Sequence, residues 1–152
     1  MKKILTILVL LSFDYSILAQ SEDEKAIKTF INNLFDGMKN LDTTMIRGCF
    51  HPSARMQVIA KNRKTDMVEI TTQNTIDNFV KNIGSLPESS QIEEKALDYE
   101  IKIDEQLATA WTKYEFYRNH KISHCGIDAF QFYKTFEGWK ILTLTYNVRK
   151  CE

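Results

Sequence analysis

Residues Lys121–Phe130 read KISHCGIDAF, and the stretch runs on as QFYK to Lys134. Written on a line, His124, Cys125 and Asp128 look like a nucleophilic or metal cluster. A β-strand dissolves that cluster, because successive side chains point to opposite faces. His124, Gly126, Asp128, Phe130 and Phe132 share one face, and Cys125, Ile127, Ala129, Gln131 and Tyr133 the other. Cys125 therefore cannot serve His124 as a thiolate partner. His124 and Asp128 share a face but lie about 13 Å apart, at about 3.3 Å per residue, beyond a direct hydrogen bond. The face carrying the two phenylalanines is expected to be the core side. The preceding stretch LATAWTKYEFYR sorts the same way, with Ala110, Thr112, Tyr114 and Phe116 inward and Trp111, Lys113, Glu115 and Tyr117 outward.

Working outward, Leu97, Tyr99, Ile101 and Ile103 alternate with Asp98, Glu100 and Lys102, which predicts another strand. Glu137-Gly138 predicts a tight turn into WKILTLTYNVR. Before these strands the pattern is helical. Ser21 and Glu24 form a capping box ahead of Ala26, Ile27, Phe30, Ile31, Leu34, Phe35 and Met38, which fall on one helix face. A second helix fits Asp42 to Phe50, with His51-Pro52 as its stop. ARMQVIA and TDMVEIT predict a hairpin around Lys61–Lys64. TTQNTIDNFVKNIG predicts a third helix with Ile76, Phe79, Val80 and Ile83 inward and Gly84 as C-cap. The expected architecture is α+β, with three N-terminal helices packed on the concave face of a strongly curved antiparallel sheet.

The chain begins with a short basic segment, the apolar run ILTILVLLSF and DYSILAQ, the order of a secretory signal peptide cleaved after Ala19. That run is shorter than the ~20 residues needed to span a bilayer. Residues 1–19 are thus expected to be removed, leaving 20–152 as a single domain that is secreted or periplasmic, with no membrane attachment after cleavage. The 20 basic and 20 acidic residues balance, which gives no electrostatic reason for a nucleic-acid partner. Export into an oxidising compartment favours pairing among Cys49, Cys125 and Cys151. A tight Glu137-Gly138 turn sets Phe136 against Trp139 and Cys125 against Lys150, one step from Cys151. A longer turn or a bulge then permits a Cys125–Cys151 disulfide and leaves Cys49 free. Three buried unpaired thiols are the alternative.

The order of helices and strands, with CFHPSARM, ITTQNTIDNF, SHCGIDAFQF and GWKILTLTY at their places, resembles the nuclear-transport-factor-2-like superfamily over about residues 22–150. The branch it is most similar to is the lumazine-binding-like, polyketide-cyclase-like one. The resemblance implies a cone whose open end forms a pocket, and homodimers formed through the sheet, here with Trp111, Tyr117 and Tyr133. Its members include dehydratases, isomerases, hydrolases, cyclases and non-enzymatic binders. The resemblance also places His51 on a loop near the pocket rim.

The leading expectation is a binding module for a small apolar or aromatic molecule, without cofactor or metal. His51, Tyr114, His124, Asp128 and Phe130 are its candidate ligand contacts. A cofactor-free dehydratase, isomerase or hydrolase would use Asp128 with His124 or Tyr114 as acid–base groups. A protein-interaction module with a filled cone is the third possibility. Cavity volume discriminates: below the ~300 Å³ of ordinary ligand sites, the interaction role gains. Cys49 and His51 with His124 or Cys125 lack the spacing of a metal site.

Overall fold

The sheet is built around one long hairpin in the computed structural model, which describes residues 22–62, 64–71 and 75–151. The signal-peptide reading of residues 1–19 and the Ser21 cap lie outside the described residues. Seven strands are numbered along the chain: β1 Phe50–Lys61, β2 Val68–Thr71, β3 Ile92–Ala96, β4 Glu100–Asp104, β5 Leu107–Arg118, β6 Lys121–Thr135 and β7 Gly138–Asn147. Asn119 and His120 both take positive φ, the requirement of a two-residue turn that matches strand twist, so β5 and β6 pair from Arg118↔Lys121 to Leu107↔Tyr133. The alternation expected for both strands holds: Ala110, Thr112, Tyr114, Phe130 and Phe132 are buried while Trp111, Gln131 and Tyr133 are exposed.

Helix α1 spans 22–39, α2 Thr43–Cys49 and α3 Ile76–Gly84. Ile27, Ile31, Leu34, Phe35 and Met38 of α1 meet Phe130, Phe132, Ile141 and Leu144 of the sheet in one core, to which α2 adds Ile46 and α3 adds Ile76 and Val80. Ala26, expected on that face, is exposed. The Asp42 carboxylate caps α2 by accepting from the Thr44 and Met45 amides at 3.0 and 2.9 Å. Thr75 caps α3 in the same way, accepting from the Asn78 amide at 3.1 Å. Gly84 is not the C-cap but the last residue of α3; Ser85, in a right-handed conformation, caps the helix. Glycine stands at 84 because a Cβ there would come 2.6 Å from the Thr43 methyl, so it lets α2 and α3 approach.

The three helices pack on a strongly curved sheet with the order β2-β1-β7-β6-β5-β3, β4 also pairing with β5. The sheet is mostly antiparallel but mixed, because β1 runs parallel to β7. An all-antiparallel sheet was the expectation; the pairing of strands so far apart in sequence leaves no local pattern to read. The chain also turns from helix to strand sooner than expected. α2 ends at Cys49 and β1 starts at Phe50, with Pro52 in the irregular part of the strand between the Phe50 and Arg55 pairings. β2 is shorter than its hairpin pattern because Asp66, at positive φ, lies in the turn.

Two further departures matter for the site. The stretch 92–104 is not a single strand. β3 pairs as Ala96↔Tyr114 and β4 as Glu100↔Trp111, so residues 97–99 oppose only Thr112 and Lys113, a bulge. Asp98 holds it by accepting from the Lys113 amide and ammonium at 2.9 and 2.7 Å. Leu97 is thereby turned to solvent, away from Tyr99, Ile101 and Ile103. The β6–β7 turn is Phe136-Glu137, with Thr135 paired to Gly138 and Lys134, not Phe136, opposite Trp139. Phe136 stands fully in solvent at the tip. An extra residue, Leu142, then shifts the register back by one, and Cys125 faces Arg149. Cys151 bonds to Cys125, with Cα atoms 5.1 Å apart, and tethers the tail after β7. Cys49 is free and buried.

Candidate functional site

The concave face and the helices leave a cavity of about 180 Å³. Its wall is apolar: Leu34, Phe35 and Met38 from α1, Phe79 and Ile83 from α3, Met56 from β1 and Leu144 from β7. Its polar side comes from neighbouring strands, with Glu94 on β3, Tyr114 and Arg118 on β5, His124 and Asp128 on β6 and Tyr146 on β7. A larger groove of about 450 Å³ lies on the convex face beside Trp111, but the buried titratable groups gather in the smaller hollow.

Asp128 is 2% exposed and lines this cavity. Burial raises its carboxyl to about 7, and a hydrogen bond with Glu94 pulls in the opposite direction. Glu94, half-buried and lining the same cavity, is raised well above the usual carboxylate range by burial, then by the charge of Asp128. Two carboxyls that hydrogen-bond while both are pushed upward by burial share a proton. Asp128 Oδ2 has no hydrogen-bond partner among the described residues. Neither has the hydroxyl of Thr112, which is paired with Asp128 across β5 and β6.

Tyr114 is 2% exposed, and its hydroxyl donates to the Asn147 carbonyl at 2.8 Å. Burial first, then the carboxyls of Glu94 and Asp128, push its phenol upward, so it stays neutral. Gly126 makes this geometry possible. A Cβ there would lie 2.6 and 2.7 Å from Tyr114 Cε1 and its hydroxyl, and would collide with the Asn147 carbonyl. The Asn147 side chain in turn accepts from the Ile127 amide at 2.7 Å. His124 stacks on Phe116 at 4.9 Å and meets the Tyr114 ring edge-on at 5.8 Å. Burial and then the Arg118 charge lower its basicity, which favours the neutral imidazole.

The structure thus gathers Tyr114, His124 and Asp128 around one cavity and leaves His51 and Phe130 outside it. His51 is the second residue of β1, contacts Ser53 Oγ at 2.8 Å and sits edge-on to Tyr133, because the rim loop expected there is strand instead. Phe130 is 1% exposed and stacks on Phe132 at 5.5 Å, one pair further down the core. Cys49 donates to the Met45 carbonyl at 3.4 Å, and burial lifts its thiol to about 11. Among the described residues no three His, Cys, Asp or Glu side chains converge as metal ligands. Glu94, Gly126 and Arg118 are the site residues that sequence reasoning missed. A glycine inside a strand was the available signal for Gly126.

The fold is shared with solved structures of low sequence identity. A nuclear transport factor 2-like protein with a cystatin-like fold from Novosphingobium aromaticivorans superposes with a TM-score of 0.70 at 11% identity, covering 91% of this chain and 89% of its own. A nuclear transport factor 2-like superfamily protein from Salmonella enterica gives 0.65 at 16% identity, covering 88% and 94%. A "putative dehydratase" of the same superfamily from Streptomyces avermitilis gives 0.66 at 9% identity, covering 87% and 99%. No curated protein matches the chain in sequence. A family model described as "Putative lumazine-binding" matches residues 22–147, the whole of the helices and sheet described above. The chain belongs to this lumazine-binding-like family, and its fold is the one seen in the nuclear transport factor 2-like structures.

Proposed function

We propose that the protein is an exported, non-enzymatic binder of a small, mostly apolar molecule that presents a hydrogen-bond donor to Asp128. The observation that carries this is the bare Oδ2 of Asp128, buried on an apolar cavity. Leaving a buried polar atom unpaired costs about 1–3 kcal/mol, and more for a charged one. A cone that served only as a filled core would gain nothing from keeping that group. Volume alone argues the other way, since 180 Å³ is well under the ~300 Å³ of ordinary ligand sites. An apolar cavity of about 150 Å³ nonetheless takes up benzene. The ligand is therefore of single-ring size, or a larger molecule inserted only in part. In this reading residues 1–19 direct export, and the exposed Trp111 and Tyr133 lie in a homodimer contact on the outer face.

Lumazine, which the family's description names, and phenol, a single ring with one donor, are the first probes. Calorimetric titration of the wild-type chain should give binding for at least one. Asp128→Asn, which keeps shape but loses the acceptor charge, should weaken it about tenfold. No binding of either probe, or equal binding by the variant, would count against the proposal. A second reading is supported by one observation: a carboxyl held at about 7 on a cavity is suited to proton transfer. In that reading Asp128 acts as acid or base beside the neutral His124, and Asp128→Asn would retain ligand while losing turnover.

A further inference from the structure

The cavity has two polar ends of opposite sign. At the inner end Asp128 stands against apolar walls with its Oδ2 unpartnered, and Glu94, whose backbone pairs with Phe116 nearer the mouth, extends its carboxyl toward it. At the mouth stands Arg118, exposed at the last position of β5, lining the same cavity and forming no ion pair among the described residues. The two ends are well separated: Thr112, the partner of Asp128, and Arg118 are six residues apart on β5, about 20 Å along the strand, and the long guanidinium side chain closes part of that gap. Phe116 and His124 lie between these levels as a stacked aromatic step.

We infer that the ligand is a small organic anion that enters donor-end first, with its hydroxyl or N–H on Asp128 and its carboxylate or equivalent anionic group on Arg118. This rests on the binding reading given above and specifies the ligand's charge and orientation. The inner end rejects an anion, because a carboxylate placed beside the buried Asp128 carboxyl would be repelled in a low-dielectric site. The mouth favours one, because guanidinium matches carboxylate through paired N–H donors. A flat ring between the ends would lie against Phe116 and His124. A neutral ligand satisfies the inner end and leaves Arg118 unused.

The test compares 4-hydroxybenzoate with 4-hydroxybenzamide, which keep ring and donor and differ in charge at the outer end. Calorimetric titration of the wild-type chain near neutral pH should show the benzoate binding about fivefold more tightly, the gain expected of one solvent-facing ion pair. Arg118→Gln, an exposed substitution, should abolish that preference by weakening the benzoate, which loses its ion pair, more than the benzamide, whose neutral amide a glutamine can still meet. Equal affinities in the wild type, or a preference that survives Arg118→Gln, would overturn the assignment of the mouth while leaving the binding reading in place. If neither compound binds, nor lumazine or phenol, both readings fall together.

Discussion

At the scale of single residues the site depends on one missing side chain. Gly126 leaves room for the Tyr114 ring to lie across β6 and for its hydroxyl to reach the Asn147 carbonyl. A methyl group there meets backbone, which cannot swing aside as a flexible side chain can. Gly126→Ala should therefore cost about 1–3 kcal/mol or more of unfolding free energy, measured in urea, and should expose Tyr114 to solvent. A variant as stable as the wild type would mean that β6 and β7 do not close over Tyr114 as described. The acidic residues show how context decides chemistry. Asp98 and Asp128 are both strand-region aspartates; hydrogen bonds from the Lys113 ammonium and amide hold the first below its usual range, and burial holds the second well above it.

At the scale of elements, parity was readable where strands run unbroken and unreadable past a bulge. Alternation in 107–118 and 123–133 was sufficient to place Tyr114, His124 and Asp128 on the inner face and Trp111 and Tyr133 on the outer one. Extending the odd-numbered pattern of Leu97–Ile103 backward would have set Glu93 and Lys95 inward. The bulge at 97–99 inverts that, so Ile92, Glu94 and Ala96 face the core and Glu93 stays outside with Lys39 and Lys95. Glu94 was thus hidden by one extra residue, and no alternation pattern marks such an insertion. The end of β7 shows the same physics. The turn moved pairing by two positions and Leu142 restored one, so Cys125 faces Arg149 instead of Lys150 while Cys151 remains within reach. His51 was misplaced for a different reason: a proline after a helix usually reads as a loop, and here it lies in an irregular strand start.

At the scale of the whole molecule, the fold class and the apolar faces of the helices were legible because they repeat locally, whereas the parallel β1–β7 pairing has no local signature. The Cys125–Cys151 bond closes a loop with a sequence separation of 26, beside the Asn147 contact that holds Tyr114. Cys151→Ser should lower unfolding free energy by about 2–4 kcal/mol in chemical denaturation; an unchanged midpoint would mean the tail is held by its backbone bonds alone. The site's carboxyl pair also acts at this scale, through the pH dependence of stability. Asp128 has a folded pKa of about 7 against an unfolded value near 3.9, so the folded chain binds the extra proton. Its contribution is fully present below about pH 4 and is lost as pH rises through 7. His124, lowered by burial and Arg118, works with the opposite sign, and Glu94, Tyr114, Tyr146 and Arg118 face the same cavity. Comparing the wild type with Asp128→Asn at each pH removes the His124 contribution common to both. The direct measurement is that difference in urea unfolding free energy between pH 5 and pH 8. A wild-type advantage that shrinks by an amount on the order of 2–4 kcal/mol as pH rises is the predicted result. A difference that stays flat, or grows with pH as for an ordinary exposed carboxylate, would contradict a buried, proton-sharing Asp128 at the base of the cavity.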